Sequence, residues 1–198
     1  MTFQRVREYP DKCLKVQSEP VVFFDDELAS LITDLKDTVN VLGGLGLSAP
    51  QIGIPQRVIY VSTGGTQVVL INPVIYQEDD NRSMGEGCLS FPGVFQNVNR
   101  FNKIKCRYLD EVGGSHDQEF VGVVAQVVQH EIDHLDGRLL IDAVSKLKRD
   151  QIKRKMKRRH RRRGVFDEEP VPRRVQQGSH LSRKEKKIRK NHRRLSKR

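Results

Sequence analysis

The stretch VGVVAQVVQHEIDHLD, residues 121–136, decides the fold because it joins an apolar helical pattern to a cluster of ionisable side chains. Its apolar residues recur at the spacing of one helix face: Val124, Val127, Val128, Ile132 and Leu135. Gly137 follows, and glycine commonly ends a helix. We therefore predict a helix over residues 121–136 at the centre of the domain.

The end of that stretch, HEIDH at residues 130–134, is typical of a metal site. His130 and His134 are four residues apart, so on a helix both imidazoles can reach one ion. Glu131 can then take a proton from water at the ion. The pattern is short, and two histidines on a helix surface commonly bind nothing. The apolar run before it favours function, since buried histidines are costly without partners.

A hydrolytic site of this kind needs a third protein ligand and one open coordination position. The downstream candidates are Asp142, His160 and Glu168, which lie in or next to a very basic segment and are poorly placed. Upstream, Cys88 lies in EGCLSFPG, residues 86–93, where glycine and proline indicate a tight backbone segment. Cys88 is therefore the stronger candidate.

Working outward, the chain alternates helical and strand patterns. Residues 26–42 have helical apolar spacing, two aspartates at the start and Gly-Gly after the end. Residues 43–53 are rich in glycine and proline, which predicts a loop with constrained turns. Strand patterns occupy residues 57–62, 67–72 with an extension over 73–76, and 103–109, the first two forming a hairpin or strand pair.

The charge of the chain is divided unequally. The 198 residues carry a net charge of +11, yet residues 145–198 hold 24 Lys and Arg against 5 Asp and Glu, a net +19 that leaves −8 for residues 1–144. We expect a catalytic domain over residues 1–144, a basic helix over 145–163 with a weak apolar stripe (Leu147, Ile152 and Met156), and a disordered polybasic tail over 164–198. Such a tail favours contact with a polyanion.

Cysteine usage and hydropathy indicate a cytoplasmic protein. The three cysteines form no CxxC pair, and no leader sequence is recognised at the N-terminus. No apolar run approaches the ~20 residues needed to span a bilayer, so no membrane association is expected. Cys13 and Cys106 are interpreted as inert, buried small side chains.

Three segments in this order resemble the signature segments of the peptide deformylases: GLGLSAPQIG at residues 44–53, EGCLS at 86–90 and QHEIDHLDG at 129–137. The resemblance extends over residues 5–163 and includes YPDKCLKVQSEPV (9–21), INPVI (71–75) and GVFQNVNR (93–100). It implies an α+β fold in which antiparallel or mixed β-sheets pack around a central metal-binding helix, followed by a basic C-terminal helix and tail.

The resemblance also implies roles for the residues of these segments. Cys88, His130 and His134 would be the metal ligands, with water in the fourth position. Glu131 would be the general base and then the general acid. Gln51 and the backbone N–H of Leu89 would donate hydrogen bonds to the developing oxyanion.

On the substrate side, the resemblance implies that Leu45 and Gly46 line the edge along which an extended peptide lies. Arg100 would contact the substrate backbone or pair with an acid such as Glu86. By position, Leu45 together with Met84 and Val127 could form the slot for the methionine side chain. One departure is Ser48, which replaces the alanine more common in the family and is expected to be tolerated.

The implied reaction is hydrolysis of the N-formyl group of formylmethionine on nascent chains, with release of formate. The implied cofactor is Fe²⁺, which Zn²⁺, Ni²⁺ or Co²⁺ can replace; ligand identity alone does not choose among them. The implied partners are nascent formyl-Met peptides and the ribosome or its RNA, contacted through the basic C-terminal segment. A monomer is expected.

Two alternatives stay open at the level of sequence. The first is a different HExxH metallopeptidase, which would use a third ligand other than Cys88. The second is an RNA- or ribosome-binding protein whose enzymatic body has decayed. The five candidate groups are all present, which argues against decay: Gln51, Cys88, His130, Glu131 and His134.

Overall fold

The computed structural model describes residues 3–163. Its helices are α1 (Asp26–Leu42), α2 (Val123–Leu135) and α3 (Lys146–Arg163). Its strands are β1 (Gly46–Ser48), β2 (Val58–Thr63), β3 (Thr66–Gly87), β4 (Phe95–Leu109) and β5 (Ser115–Val121). Short 3₁₀ turns lie at Lys12–Lys15, Ala49–Ile52 and Leu140–Asp142. The tail predicted to be disordered, residues 164–198, lies outside the described residues.

Helix α1 has the limits that its sequence pattern predicts. The Asp25 side chain accepts a hydrogen bond from the backbone N–H of Leu28 at 3.0 Å and so caps the first turn. Gly43 ends the helix in the left-handed conformation, with φ of 64°. The apolar face between these caps is buried against β1 and β2.

The five strands form one antiparallel sheet in the order β1-β2-β3-β4-β5. This confirms the α+β class and the predicted pairing of the first two strand patterns. The predicted loop over residues 43–53 is in part wrong, because Gly46–Ser48 pairs with β2 as an edge strand and Ala49–Ile52 forms a 3₁₀ turn.

Strands β3 and β4 are much longer than their sequence patterns, and β5 was not predicted at all. From Glu78 to Ser83, β3 is exposed and carries the polar run EDDNRS, so alternation of apolar and polar residues is absent there. Backbone pairing with β4, which continues to Gly87 opposite Phe95, holds this part of the strand. Periodicity reports burial rather than pairing, and it therefore misses such segments.

Helix α2 lies against the inner face of the sheet and contacts β1, β2 and β4. Its buried apolar residues join one core cluster with residues of the sheet such as Ile59, Leu70 and Ile104. The helix begins two residues later than predicted because Val121 ends β5 and Gly122 turns the chain at φ of 64°. The predicted central position of this helix is confirmed.

Helix α3 packs onto the body of the protein. Ile152 and Met156 are 4% and 0% exposed and join a core cluster with Phe91 and Val94, while Leu147, predicted to share the stripe, is 67% exposed. Arg159 pairs with Glu8 at 3.0 Å, which ties the helix to the N-terminal segment. Within residues 3–163, none of the helices has the length and apolar character required to cross a membrane.

Candidate active site

Two elements bring three potential metal ligands together. Cys88 lies at the turn between β3 and β4, and His130 and His134 lie one turn apart on α2. The Cys88 sulfur and the ligating nitrogens of the two histidines all lie within 4.8 Å of one another. The sulfur is 3.2 Å from Nε2 of His134, and the two imidazole planes meet at 84°.

The alternative third ligands lie elsewhere or have other partners. His160 bonds through Nε2 to the backbone oxygen of Tyr9 at 2.7 Å, and Asp142 accepts from the backbone N–H of Leu139 at 3.1 Å. Glu168 is outside the described residues. In this structure Cys88, which lies upstream of the two histidines, is therefore the third potential metal ligand.

Glu86 fixes the orientation of the His130 ring through the Nδ1 atom of that ring. Its carboxylate lies 2.5 Å from Nδ1 of His130, which leaves Nε2 of the ring for the metal cluster. The Arg100 guanidinium donates two hydrogen bonds to the same carboxylate, at 2.9 and 3.0 Å. Arg100 also pairs with Asp133 of α2 at 2.6 Å. Sequence reasoning proposed the Arg100–Glu86 pair but missed the bond from Glu86 to His130.

Because both carboxylate partners occupy its guanidinium and it is 8% exposed, Arg100 does not line the cavity of the candidate site. Its expected role as a contact of the substrate backbone therefore finds no support in the geometry. The second role considered for Arg100, an ion pair with an acid, matches its observed contact with Glu86.

The charges of this cluster are strongly interdependent. Burial raises the pKa of Glu86, but hydrogen bonds from His130 and Arg100 outweigh it and lower the pKa to about 2. Burial lowers the pKa of Arg100, but Glu86 and Asp133 reverse this and raise it. Burial and the charge of His130 lower the pKa of His134 well below its usual value. Glu86 is therefore ionised whenever the protein is folded near neutral pH.

Glu131 lies beside the ligands on the buried side of α2, 3% exposed. Within residues 3–163 its Oε2 has no hydrogen-bond partner, and the same holds for Nδ1 of His134. Burial raises the pKa of Glu131 to about 7, although the charge of His130 and a hydrogen bond with Ser48 oppose the shift. A Cβ on Gly46 would lie 2.6 Å from Val127 Cγ1 and 3.1 Å from Glu131 Oε1, so only glycine leaves this approach open.

Gln51 is fixed by the turn that follows β1. The backbone N–H and the hydroxyl of Ser48 both donate to its Oε1, at 2.9 and 2.8 Å. The amide nitrogen therefore points the other way, 3.7 Å from the sulfur of Cys88 and 3.3 Å from the Ser90 hydroxyl. This positions a donor beside the ligand cluster. Sequence reasoning noted Ser48 only as a departure from the family and did not foresee this contact.

Cys88 and His130 open into a cavity of about 1320 Å³. Leu45, Gly46 and Leu89 line it together with Gln51 and Glu131. Of the three residues suggested for a methionine slot, Leu45 and Val127 line the cavity and Met84 does not, since Met84 lies within β3 opposite Val98. A cavity of this size can hold more than one amino-acid residue.

A transition-metal ion such as iron or zinc suits a set of one thiolate and two imidazoles. The carboxylate of Glu86, hydrogen-bonded to the His130 imidazole, is a common addition to such a set. The observed spacing of the three atoms and the orientation of His130 fit such an ion. The buried carboxylate of Glu131, whose Oε2 has no hydrogen-bond partner within residues 3–163, lies next to it. Together these groups can support hydrolysis by metal-activated water.

Comparison with known proteins also indicates a metal-dependent hydrolase. The family model of polypeptide deformylase matches residues 3–150. A peptide deformylase of Alkalilimnicola ehrlichii is 42% identical over 154 residues, which are 76% of this chain and 86% of that protein. A peptide deformylase of Thermotoga sp. (strain RQ2) is 39% identical over 153 residues, 77% of this chain and 93% of the relative.

Solved structures of peptide deformylases also superimpose on this chain. The crystal structure of a peptide deformylase from Legionella pneumophila superimposes with a TM-score of 0.78 at 35% identity and covers 83% of this chain and 99% of its own. That of the enzyme from Ehrlichia chaffeensis in complex with actinonin has a TM-score of 0.79 at 33% identity, covering 81% and 99%. These relatives favour deformylation over the alternative of a different HExxH metallopeptidase.

Proposed function

Because the chain belongs to the peptide deformylase family of metal-dependent hydrolases, we propose that Cys88, His130 and His134 hold its metal ion. The enzyme removes the N-formyl group from the N-terminal formylmethionine of nascent polypeptides and releases formate. The observation that carries the proposed site is the convergence of one sulfur and two nitrogens within 4.8 Å beside Glu131. A divalent ion bound there supplies Lewis acidity to water and to the formyl carbonyl.

Glu131 is the residue that moves the proton. Its carboxylate takes a proton from the water that attacks the formyl carbon and returns it to the amine nitrogen as the C–N bond breaks. The buried position of Glu131 and the unpartnered Oε2 support this assignment, since nothing within residues 3–163 competes for that oxygen.

Gln51 and Leu89 are the donors to the oxygen of the formyl carbonyl as it gains negative charge. The Gln51 amide is held by two hydrogen bonds from Ser48, so its N–H group is oriented before substrate arrives. The backbone N–H of Leu89 follows Cys88 directly in the chain. Loss of one such donor commonly lowers kcat by about 10²–10³.

Leu45 and Gly46 bind the peptide part of the substrate. Gly46 begins β1, the end strand of the sheet, whose second edge has no partner strand within residues 3–163. An extended peptide can add to such an edge through backbone hydrogen bonds. Arg100, buried between Glu86 and Asp133, is a positioning residue for His130.

The catalytic assignment is tested with a formyl-Met-Ala-Ser peptide and iron-loaded protein prepared without oxygen. Glu131→Gln keeps the shape of the side chain but removes its basicity, and we expect kcat/KM to fall by about 10²–10⁴. Metal content should stay at the wild-type level. Activity within threefold of wild type in Glu131→Gln would rule out the proposed role.

The ligand set is tested by metal content. Cys88→Ala should lose bound metal after dialysis, whereas Cys106→Ala, the matched loss of a buried thiol, should keep it. Retention of metal by Cys88→Ala would contradict the assignment.

We propose Fe²⁺ as the ion, with Zn²⁺, Ni²⁺ and Co²⁺ able to replace it. A single thiolate beside two imidazoles is compatible with each of them. Apoprotein loaded separately with the four metals should give the highest kcat/KM with Fe²⁺. A zinc form as active as the iron form would contradict this choice.

We also propose that the enzyme acts as a cytoplasmic monomer and contacts ribosomal RNA through α3 and the residues after it. Support comes from the net charge of +19 over residues 145–198. Because Met156 is part of the core, the useful comparison is a charge variant and not a chain without α3. Arg154, Arg158 and Arg161 lie on one exposed face of that helix.

Substitution of these three arginines by glutamate should weaken co-sedimentation with ribosomes while the thermal midpoint stays near that of wild type. Equal co-sedimentation of variant and wild type would exclude α3 as the contact. Light scattering of the purified enzyme should give the monomer mass of 22.8 kDa; a dimer mass would contradict the proposed oligomeric state.

A further inference from the structure

The catalytic cavity reaches the C-terminal end of α3. Arg159 and His160 of that helix line it, and so do several residues of the N-terminal segment 3–12. Both side chains bond to this segment, His160 to the backbone oxygen of Tyr9 at 2.7 Å. The helix ends at Arg163, so the chain that follows begins within one helical turn of residues that line the cavity.

This part of the cavity rim is positively charged, although residues 1–144 as a whole carry −8. The N-terminal segment and α3 contribute five cationic side chains to the lining against two carboxylates: Arg5, Arg7, Lys12, Lys157 and Arg159 against Glu8 and Asp11. Ion pairs among these groups leave the excess of positive charge in place. Phe3 and Leu42, which are 53% and 41% exposed, add apolar surface to the same lining. A ligand that is both acidic and apolar suits such a rim.

The chain supplies such a ligand directly after α3. Residues 165–171 read VFDEEPV, in which three consecutive acids follow Phe166. Residues 164–171 hold these three acids and no Lys or Arg, a net charge of −3, whereas residues 172–198 hold 12 Lys and Arg against one Glu, a net charge of +11. An acidic and apolar segment therefore separates two basic ones, and its charge is complementary to that of the rim.

This segment is long enough to lie across the cavity. Seven extended residues span about 23 Å, at about 3.3 Å per residue. The residues of α2 that line the cavity run from Val123 to Glu131, which is about 12 Å of helix. Because residue 165 follows the end of α3 by two positions, the segment can begin at the basic rim and reach over the opening of its own chain.

We propose that residues 165–171 bind across the mouth of the catalytic cavity in the same chain and compete with substrate. Phe166 packs on the apolar surface of the rim, and the three carboxylates face its basic side chains. The inference rests on the proposed function where it concerns competition with formyl-Met peptides. The contact itself requires neither metal nor substrate, so it can also be measured without them.

The kinetic test compares full-length, iron-loaded variants on a formyl-Met-Ala-Ser peptide. Phe166→Ala, and separately a variant with all three acids changed to their amides, should lower KM about three- to tenfold, because a contact occupied for about 70–90% of the time raises the apparent KM by that factor. The value of kcat should stay within about twofold of wild type, since saturating substrate displaces the segment. Leu181→Ala and Glu185→Gln remove an apolar and an acidic side chain elsewhere in the tail and should leave KM unchanged.

The contact is measured independently by the access of a bulky, uncharged maleimide to Cys88, which lines the cavity, in metal-free protein. Alkylation should be about three- to tenfold faster in Phe166→Ala than in wild type. A synthetic peptide of residues 164–172 should restore the slow rate when added at millimolar concentration, the effective concentration of a tethered segment. Leu181→Ala should react at the wild-type rate.

Equal KM and equal alkylation rates in wild type and Phe166→Ala would overturn the inference while leaving deformylation intact. A wild-type alkylation rate that falls as the protein concentration rises would place the segment in the cavity of a second copy and contradict the contact within one chain. A protein that deformylates no peptide but still shows the difference in alkylation would overturn the proposed function alone.

Discussion

Glu86 shows how a residue outside the proposed ligand set can control that set. It bonds to His130 and to Arg100, and the carboxylate is ionised because these partners lower its pKa to about 2. Partners of this kind fix the orientation of a ligating imidazole and raise its basicity. The strength of metal binding should therefore depend on a carboxylate that does not itself touch the ion.

The first prediction follows from this contact. Glu86→Gln removes the negative charge and leaves Arg100 with Asp133 alone, so metal affinity should fall about 10- to 100-fold. Competition with a chelator measures the dissociation constant. Glu119→Gln, which breaks the exposed pair with Lys103 at 3.0 Å, serves as control and should leave it unchanged. An unchanged affinity in Glu86→Gln would refute the positioning role.

The second prediction distinguishes the three cysteines. Burial raises the pKa of Cys13 to about 12 and that of Cys106 to about 11. Both values lie above pH 8, so at that pH only about one thiol in a thousand or fewer is ionised, and the thiolate is the reactive form. Native apoprotein treated with iodoacetamide at pH 8 should be alkylated at Cys88 alone.

Peptide mass spectrometry locates the alkylated residue. Added Zn²⁺ should protect Cys88, and unfolding in guanidinium should expose all three cysteines. Alkylation of Cys13 or Cys106 at the rate of Cys88 in the native protein would show that burial does not control their reactivity.

At the scale of single residues, the sequence was most informative where chemistry and spacing coincide. HEIDH places two proposed ligands on one helix face with Glu131 beside them, and the Gly-Cys segment supplies the third candidate. What the sequence could not reveal is how side chains meet across elements far apart in the chain. The bond between Glu86 and His130 spans 44 positions, and no local pattern encodes it.

At the scale of elements, α1 and α2 were predictable because each buries one face, which produces helical periodicity. Strand β5 and the outer half of β3 were not, since their pairing leaves most side chains exposed. The predicted boundary after residue 144 is also informative. Helix α3 begins there, but its Ile152 and Met156 complete the core around Phe91, so the packed core extends beyond that boundary.

The third prediction tests this role of α3. Met156 is 0% exposed, and Met156→Ala should lower the free energy of unfolding by about 2–5 kcal/mol, as expected for removal of a buried methionine side chain. Leu147→Ala, at an exposed site on the same helix, should change it by no more than about 0.5 kcal/mol. Urea denaturation followed by circular dichroism measures both. Equal effects would show that α3 contributes little to the core.

At the scale of the whole molecule, charge is separated along the chain. Residues 1–144 carry −8, residues 145–163 carry +11 and residues 164–198 carry +8. An acidic catalytic body should repel RNA, whereas the C-terminal part should attract it. The two parts together favour an orientation in which α3 faces a polyanion and the opposite surface turns away from it.

The fourth prediction concerns this separation. Binding of the full chain to a double-stranded RNA of arbitrary sequence should weaken steeply with salt, and a chain ending at Arg163 should show a clearly smaller slope of log K against log salt concentration. Fluorescence anisotropy of labelled RNA measures the slope. Identical slopes would mean that residues 164–198 make no phosphate contacts.

The packing of α3 behind the Cys88 turn also bears on when the enzyme becomes competent during its own synthesis. The three proposed ligands have all been translated once His134 is added, but Met156 packs behind the turn that carries the sulfur, and Lys155 donates a hydrogen bond to Gly93 in that turn. A growing copy of the chain therefore contains every proposed ligand before the residues that support Cys88 have been made. Maturation of the metal centre should wait until α3 has left the ribosomal tunnel and folded against the body.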